Sequence, residues 1–449
     1  MRATDMTRGN PGRLLMAFAL PMMLGNVCQQ LYTIVDGVFV GRFAGIDALA
    51  AVGAADWLCW LFMGIAMGFA QGFSILISQR FGAKDEAGLK RAVAMTALLM
   101  GGIALALTVG SEGLLVPLLR LMGTPEDIFP KAVLYLRILM GGVPIFSAYN
   151  AQAGVLRAVG DSRTPLIAML IAAAANIALD ALFVIVFRWG VAGAAAGTIL
   201  AQAVSAVYCF FAIRALPMLR FTRAQLQWDG AVARRMISLG TPTAAQNLII
   251  GLGGLAVQRV INSYGSVFIA GFTATNKLYG LMEMAAVSYG AAIASYAGQN
   301  FGAKNAGRIK TGTRAGVWLS IATSACISAV LILCGRSVLS LFVDPAAAMK
   351  EQVLDVGQRY LNFMLVSLFI LYLLYVYRSA LQGMGDTLTP MVSGGMELVM
   401  RIGVALILPG LIGQDGIYFA EPAAWLGAEA LLMFTYYHKI RKLNFKEVL

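Results

Sequence analysis

This sequence contains few charged residues. Only 12% of its 449 residues are Asp, Glu, Lys or Arg, whereas 59% are hydrophobic. Soluble domains carry about 25% charged residues, so there is too little charge here to cover a water-facing surface. Apolar runs of about 20 residues, long enough to cross a bilayer as helices, recur along the chain. The composition therefore indicates an all-α polytopic membrane protein.

Histidine is almost absent, and cysteine is scarce. The single histidine, His438, lies in a basic tail, which leaves histidine-based catalysis or metal binding almost nothing to work with. The five cysteines lie in or beside apolar segments without metal-ligand spacing and are interpreted as small buried hydrophobic residues. We therefore expect no metal centre of this kind, no cofactor and no enzyme.

The N-terminus lacks the pattern of a removable signal. The first 13 residues are polar and basic, and no small-residue cleavage site follows the first apolar run. We expect the first helix to remain as a membrane span. The apolar pattern predicts twelve spans in all, at residues 14–40, 47–77, 91–113, 131–156, 165–186, 191–213, 237–262, 267–297, 315–334, 353–378, 390–412 and 417–437.

Lysine and arginine are unevenly distributed over the connections between these spans. Of the 34 basic residues, 23 fall on the side that carries the N-terminus and 6 on the other side. Cytoplasmic loops carry such an excess, so both termini are predicted to be cytoplasmic. The net charge of +12 is thus explained by topology and by anionic lipid, and nucleic acid is not expected as a partner.

Three markers occur twice in the same order. "RFGAKDEAGLKRA" from Arg80 is echoed by "NFGAKNAGRIKTG" from Asn300, and "LRAVGDSRTP" from Leu156 by "LQGMGDTLTP" from Leu381. The offsets are 220 and 225 residues, and a third pair, Pro21 and Pro242, is 221 apart. This constancy indicates a duplication.

The duplication predicts two parallel six-helix bundles, because six spans per half bring both halves in from the same side. A pseudo-two-fold axis along the membrane normal relates such repeats, as in many transporters. The predicted domains are an N-terminal lobe at 1–213, a cytoplasmic linker at 214–235 and a C-terminal lobe at 236–449.

Some ionisable residues inside the predicted spans have a partner four residues away. Glu397 precedes Arg401, and Asp355 precedes Arg359, a spacing that places opposite charges on one helix face. These are interpreted as self-contained pairs. Glu283 has no such partner and is assigned to a central cavity.

Two further acids are left open by the sequence. Asp56 and Glu429 are expected to line water or to meet Arg137 or Arg259 across a bundle.

Asp36 and Asp180 stand out because neither has a cation within one helical turn. Asp180 and Thr198 each lie nine residues from Trp189 in the outer turn, about 13 Å deep at 1.5 Å per residue. Asp36 is about 10 Å deep on the same scale. Asn176 lies one turn from Asp180 on the same helix face. These oxygen-bearing groups predict a site for Na⁺ or for a proton shared between acids.

This oxygen cluster is not part of the duplication. At the offsets given above, Asp36 corresponds to Val257, Asn176 to Arg401 and Asp180 to Ala405. Packing requirements should recur in both halves, so a cluster present once indicates a function specific to the first bundle.

With these motifs, the chain resembles the multidrug and toxic compound extrusion family over essentially its whole length. The resemblance rests on "LPMMLGNVCQQLYTIVDGVFVGRFAG" in span one, the repeated "FGAK" and "GD…TP" loops, and "NIALD" in span five. The pattern is similar to that of the subgroup named for the DNA-damage-inducible F protein. That resemblance implies a cation site at Asp36, Asn176, Asp180 and Thr198.

The resemblance also implies the remaining functional assignments. Polar lining of the first lobe is expected at Gln29, Tyr32, Tyr135 and Asn150, and Glu283 is added to this substrate-binding set. The expected activity is efflux of organic, often cationic, compounds by antiport with H⁺ or Na⁺. The expected protein is a monomer in the cell membrane whose partners are small molecules and lipid.

Three alternatives remain open at this point. A lipid-linked oligosaccharide flippase of the same superfamily would use cavity cations such as Arg259, Lys277 and Arg401. An intramembrane enzyme would need a nucleophile–base pair or a ligand set in its spans. A passive channel would not need a duplicated two-bundle plan.

Overall fold

The computed structural model describes residues 3–221, 226–343 and 349–443, and within these ranges it contains helices and no strands. The α-helices are α1 (Pro11–Phe39), α2 (Ile46–Gly82), α3 (Glu86–Leu121), α4 (Phe129–Gly141), α5 (Val143–Ala158), α6 (Arg163–Asp180), α7 (Val191–Ala215), α8 (Gly230–Ile261), α9 (Ser266–Gly302), α10 (Ala306–Leu339), α11 (Lys350–Gly383), α12 (Leu388–Ile412) and α13 (Ala420–Lys442).

Helices α4 and α5 are the two parts of one bent span, with an angle of 46° between them. Twelve helical segments therefore follow one another, which confirms the predicted all-α fold. Nine of the described helices, or ten segments with the bent pair, are long and apolar enough to cross a membrane. Helices α9 and α13 fall below that measure, and each has two charged residues within its predicted span: Lys277 and Glu283 in α9, and Glu421 and Glu429 in α13.

The chain forms two compact units. Unit 1 comprises Met1–Asp5 and Leu20–Ala244, and unit 2 comprises Met6–Ala19 and Ala245–Leu449. In unit 1, α2 packs against α3, α4 and α5, and α7 packs against α5 and α6. In unit 2, α11 packs against α9, α10 and α13. The ranges predicted for two lobes and a linker stay a prediction, and residues 222–225 of that linker lie outside the described residues, as do residues 1, 2, 344–348 and 444–449 of the predicted lobes.

The helices α1 and α8 each contribute to both units. The division in α1 falls after Ala19, next to Pro21, and the division in α8 falls after Ala244, next to Pro242. Proline removes one backbone hydrogen bond from a helix and favours bending there. The repeated prolines thus mark the two places where a helix passes from one unit to the other.

The repeated loops are helix caps. Asp85 accepts a hydrogen bond from the Gly88 backbone N–H at 2.8 Å, and Asn305 accepts one from the Arg308 N–H at 3.0 Å. Such side chains satisfy backbone donors that the first turn of a helix leaves free. The "FGAK" motif is therefore repeated because each copy leads into a capping residue that begins a helix.

The "GD…TP" loops act in the same way. Asp161 accepts hydrogen bonds from the Thr164 N–H and hydroxyl, at 3.0 and 2.6 Å. Asp386 accepts the corresponding bonds from Thr389, at 3.1 and 2.7 Å. These four loop sequences account for most of the visible repeat, and their role is to start helices α3, α6, α10 and α12.

Candidate functional site

Two aspartates from different helices of unit 1 face each other. Asp36 lies three residues before the end of α1, and Asp180 is the last residue of α6. Their carboxyl groups are close enough to interact electrostatically. Two carboxyl groups can share a hydrogen bond only when one of them carries a proton. The structure thus brings together the two acids that the sequence places at similar depth.

Five polar atoms of this pair and of Asn176 have no hydrogen-bond partner among the described residues. Asp180 is completely buried and Asn176 is 2% exposed. Within the described residues, both oxygens of Asp180, one oxygen of Asp36 and both amide atoms of Asn176 lack a hydrogen-bond partner. Leaving buried polar groups unpaired costs about 1–3 kcal/mol each and more when they are charged. A bound proton or cation would supply the missing partner.

Helix α7 approaches the acid pair through a glycine. A β-carbon at Gly197 would lie 2.5 Å from Oδ1 of Asp180, closer than any real contact. The spacing of Gly193 and Gly197 predicts a packing face for small residues, and Gly193 does pack on the backbone of Phe183. Gly197, however, packs on the carboxyl group itself. Thr198 is the next residue on α7 and is half-buried, but in the described part of the chain it makes no hydrogen bond to either acid.

Both acid-bearing helices change their winding next to the acids. A π-helical turn, Val40–Ala44, follows α1, and another, Ala181–Val186, begins directly after Asp180. The two turns contact each other. Short π-helical turns are uncommon and occur often at functional sites. Sequence reasoning did not find them, because apolar stretches such as "ALFVIV" carry no signal for π-helical winding.

Two tyrosines and a third acid surround the pair. Tyr32 and the buried Tyr135 each interact electrostatically with Asp36 and with Asp180. Asp56 on α2 is close enough to Asp36 for their charges to interact, and it is exposed. The sequence left Asp56 open between water and an arginine. Arg137, one of its two suggested partners, pairs with Glu112 at 3.4 Å instead.

The other two residues predicted to line this lobe have separate surroundings. Gln29 is exposed on α1 and interacts with Tyr32. Asn150 donates its amide hydrogen to the carbonyl of Phe146 on its own helix at 2.9 Å. Of the predicted lining residues in unit 1, Tyr32 and Tyr135 are therefore the two tied electrostatically to the acid pair.

Glu283, the fifth residue predicted for the substrate site, lies in unit 2. Its Oε1 accepts a hydrogen bond from the hydroxyl of Tyr375 at 2.8 Å, and Tyr279 interacts with it as well. The described contacts of Glu283 are therefore with tyrosines of its own unit.

The buried charges of unit 2 form a network. The spacing of Glu397 and Arg401 predicts a self-contained pair, and these side chains do lie 3.9 Å apart. Each has a closer partner, however: Glu397 binds Arg378, and Arg401 binds Glu421 at 2.7 Å. Arg378, which the sequence places at the cytoplasmic end of the predicted span 353–378, lies within α11 and is 6% exposed. The predicted pair therefore forms, but the prediction that it is self-contained is wrong.

The predicted pair of Asp355 and Arg359 is also wrong. Asp355 binds Arg336 at 2.8 Å, whereas Arg359 lies 3.5 Å from Asp415. These side chains are exposed, so their charges are satisfied at low cost by whichever partner the neighbouring helix presents. Helical spacing alone does not distinguish partners on one helix from partners on the next.

The chemistry available at the acid pair is that of hard oxygen ligands. Two carboxyl groups and an amide suit a proton or Na⁺ better than a transition metal. Among the described residues, no group of three or more His, Cys, Asp or Glu side chains is arranged to hold a metal ion.

Comparison with known proteins identifies the family. The MatE family model matches residues 21–182 and 242–407. The chain is 30% identical over 419 residues to the Probable multidrug resistance protein YpnP of Bacillus subtilis, a match that covers 93% of both chains. It is 25% identical to the Probable multidrug resistance protein NorM of Thermotoga maritima, covering 94% of this chain and 89% of the relative.

The fold is that of solved structures of the same family. An outward-facing multidrug resistance MATE family transporter of the MOP superfamily superposes with a TM-score of 0.91 over 99% of both chains, at 22% sequence identity. The two matched segments of the family model fall one in each half of the sequence, as the duplication requires. This chain is a multi-pass membrane protein that belongs to the MatE family, the multidrug and toxic compound extrusion family its motifs resemble.

Proposed function

We propose that this chain is a secondary active multidrug efflux transporter. It exports organic, often cationic, compounds by antiport with H⁺ or Na⁺ through alternating access. The names of the relatives support multidrug transport, and they support a transporter over an enzyme. The observation that supports ion coupling is the acid pair, in which both oxygens of the buried Asp180 and one oxygen of Asp36 have no donor from the described chain.

The coupling ion binds at Asp36, Asn176, Asp180 and Thr198. When two carboxylates face each other, one proton or one Na⁺ removes their repulsion and supplies the missing partner. The substrate binds through Gln29, Tyr32, Tyr135, Asn150 and Glu283. Ion and substrate need not share every contact, because exchange requires only that each favours a different state of the transporter.

Helix α1 links ion binding to the change of state. It carries Asp36 near its end, and its division between the units falls next to Pro21. A change of charge at Asp36 alters what the end of α1 contacts in unit 1, and the proline allows the helix to bend in response. No cofactor other than H⁺ or Na⁺ takes part.

The rest of the proposal concerns the setting of the protein. It works as a monomer in the cell membrane with both termini in the cytoplasm, where the basic connections lie. It binds small molecules and lipid and does not bind nucleic acid.

A lipid-linked oligosaccharide flippase is the second candidate. Lys277 and Arg259 are the cations that pyrophosphate would require, and neither has an ion pair in the described part of the chain. Arg401, the third such cation, is already bound to Glu421 and Glu397. This pairing weighs against the flippase.

The test is efflux of ethidium, a fluorescent organic cation, from proteoliposomes under separately imposed sodium and proton gradients. We expect one of the two gradients to drive efflux by the wild-type protein. Asp36→Asn and Asp180→Asn should abolish this dependence. Asp47→Asn is the matched control, because Asp47 is an exposed acid of unit 1 that pairs with Lys131, and it should keep wild-type rates. Wild-type rates in both site variants would refute the proposal.

A further inference from the structure

A groove of about 570 Å³ runs along the first turns of α8 in unit 1. Its walls come from α8 between Gly230 and Pro242, from Trp228 just before the helix, and from Leu99 on α3. None of these residues belongs to the acid pair or to the proposed substrate site. The groove is therefore a different feature from those two sites.

The two ends of the groove differ in chemistry. At the start of α8, the indole of Trp228 is 67% exposed and the guanidinium of Arg234 is exposed as well. Further along, the wall is formed by Ile237, Leu99 and Pro242. Only the stretch from Ile237 to Pro242 lies within the predicted span, about 8 Å at 1.5 Å per residue. The start of α8 is therefore placed at the level of the lipid head groups, and this stretch enters the hydrocarbon core.

The positive charge at the Trp228 and Arg234 end of the groove favours a ligand with negative charge. In the described residues no carboxylate pairs with Arg234. The nearest acid along the chain, Asp229, is used as a helix cap and accepts hydrogen bonds from the N–H groups of Ala231 and Val232, at 3.0 and 3.1 Å. Arg235 is exposed and adds a second positive charge. A cationic compound would be repelled here, whereas an anionic head group is attracted.

We propose that the groove binds one anionic phospholipid of the cytoplasmic leaflet. Its phosphate lies between Arg234 and the indole N–H of Trp228, and one acyl chain follows Ile237 and Leu99 toward Pro242. Tryptophan is typical of the membrane interface because its ring is apolar and its N–H is a donor. Arginine binds phosphate through its planar set of donors. The groove thus matches the amphiphile in the order of its polar and apolar parts and in charge.

The first experiment measures lipid retention by the full-length protein. The protein is stripped of lipid in detergent, titrated with phosphatidylglycerol or phosphatidylcholine, and analysed by native mass spectrometry. We expect the wild type to retain one phosphatidylglycerol in preference to phosphatidylcholine. Arg234→Gln should weaken that retention about fivefold, the effect of one basic residue near a membrane surface. Arg314→Gln, which changes an exposed arginine at the start of α10 in unit 2, should not.

The second experiment locates the lipid. Phosphatidylglycerol with brominated acyl chains quenches tryptophan fluorescence at short range, and the Trp228→Phe variant identifies the share that comes from Trp228. We expect this share to disappear in Thr241→Phe, which fills the apolar end of the groove. Equal retention of both lipids by the wild type, or retention unchanged by Arg234→Gln, would overturn the proposal. So would the absence of quenching at Trp228. These measurements do not depend on transport, so their outcome tests lipid binding independently of the proposed function.

Discussion

The two units treat their buried charges in opposite ways. In unit 1, Asp36 and Asp180 face each other, and no arginine or lysine of the described chain pairs with them. In unit 2, Arg378 and Arg401 hold Glu397 between them. The first arrangement lacks a partner from the described chain, whereas the second has its counter-charges within the chain. This contrast is why we propose an exchangeable ion site at the acid pair of the first unit.

The second unit is not fully neutralised either. Two buried arginines stand beside four acids, Glu283, Glu397, Glu421 and Glu429. Three of these have a hydrogen-bonding partner, whereas both oxygens of Glu429 have none within the described residues. The comparison therefore concerns function as well as stability: acids with partners belong to the structure, and acids without partners are candidates for exchange.

The largest expected effect is the loss of an acid from the network of unit 2. Glu397→Gln leaves the buried guanidinium of Arg378 without its counter-charge, which costs about 3–5 kcal/mol. The free energy of unfolding, measured by denaturant titration in detergent micelles, should fall by that amount. Glu351→Gln is the control, since Glu351 is exposed and bound to Arg336. It should cost less than about 1 kcal/mol. If both variants lost the same free energy of unfolding, the buried ion pairs of unit 2 would be no more important for stability than an exposed one.

The same kind of substitution in unit 1 should have the opposite sign. Asp180→Asn removes a buried carboxyl that has no donor, so we expect the free energy of unfolding to stay level or to rise by up to about 2 kcal/mol. Measured in the same micelles, a loss of more than about 1 kcal/mol would mean that Asp180 is a structural residue after all.

The sequence predicted this division only in part. The twelve spans and the repeated loops could be predicted because hydrophobic runs and capping residues determine structure within a short stretch of sequence. The acid pair was found because Asp36 and Asp180 lack a cation on their own helices. The role of Arg378 was missed because its partner, Glu397, lies on another helix. Tertiary packing decides which helices face each other, and this arrangement is difficult to predict from a single sequence.

A smaller effect is expected at Gly197. Gly197→Ala places a β-carbon 2.5 Å from Oδ1 of Asp180, so α7 or the carboxyl group must move. Overpacking of this kind costs about 1–3 kcal/mol and should also reduce ion-driven efflux. The measurements are unfolding in micelles and transport in proteoliposomes.

The control for that variant is an alanine in open space. A β-carbon at Gly102 on α3 meets nothing within 4 Å, so Gly102→Ala should be neutral or stabilising by up to about 1 kcal/mol. If Gly197→Ala behaved like Gly102→Ala in both assays, the acid pair would not depend on the close approach of α7.

The smallest effect is expected at a repeated loop. Burial alone would raise the pKa of Asp386, but hydrogen bonds from Lys439 and Thr389 outweigh it and hold that pKa below its usual range. A lowered pKa means that the contribution to stability is complete above about pH 4, the ordinary value for Asp, and is lost as the pH falls through the lowered value. Since Lys439 is 43% exposed, the contribution should stay below about 1 kcal/mol.

The measurement is thermal unfolding of the wild type and of Asp386→Asn as a function of pH. The difference between them should be constant at neutral pH and shrink below about pH 4. Asp161→Asn is the matched variant, because Asp161 caps the corresponding helix without an ion pair in the described residues. A deficit of Asp386→Asn that matched this variant at neutral pH would mean that the cap matters and the lysine does not. The repeated loops would then be equivalent, and the units would differ only in their buried charges.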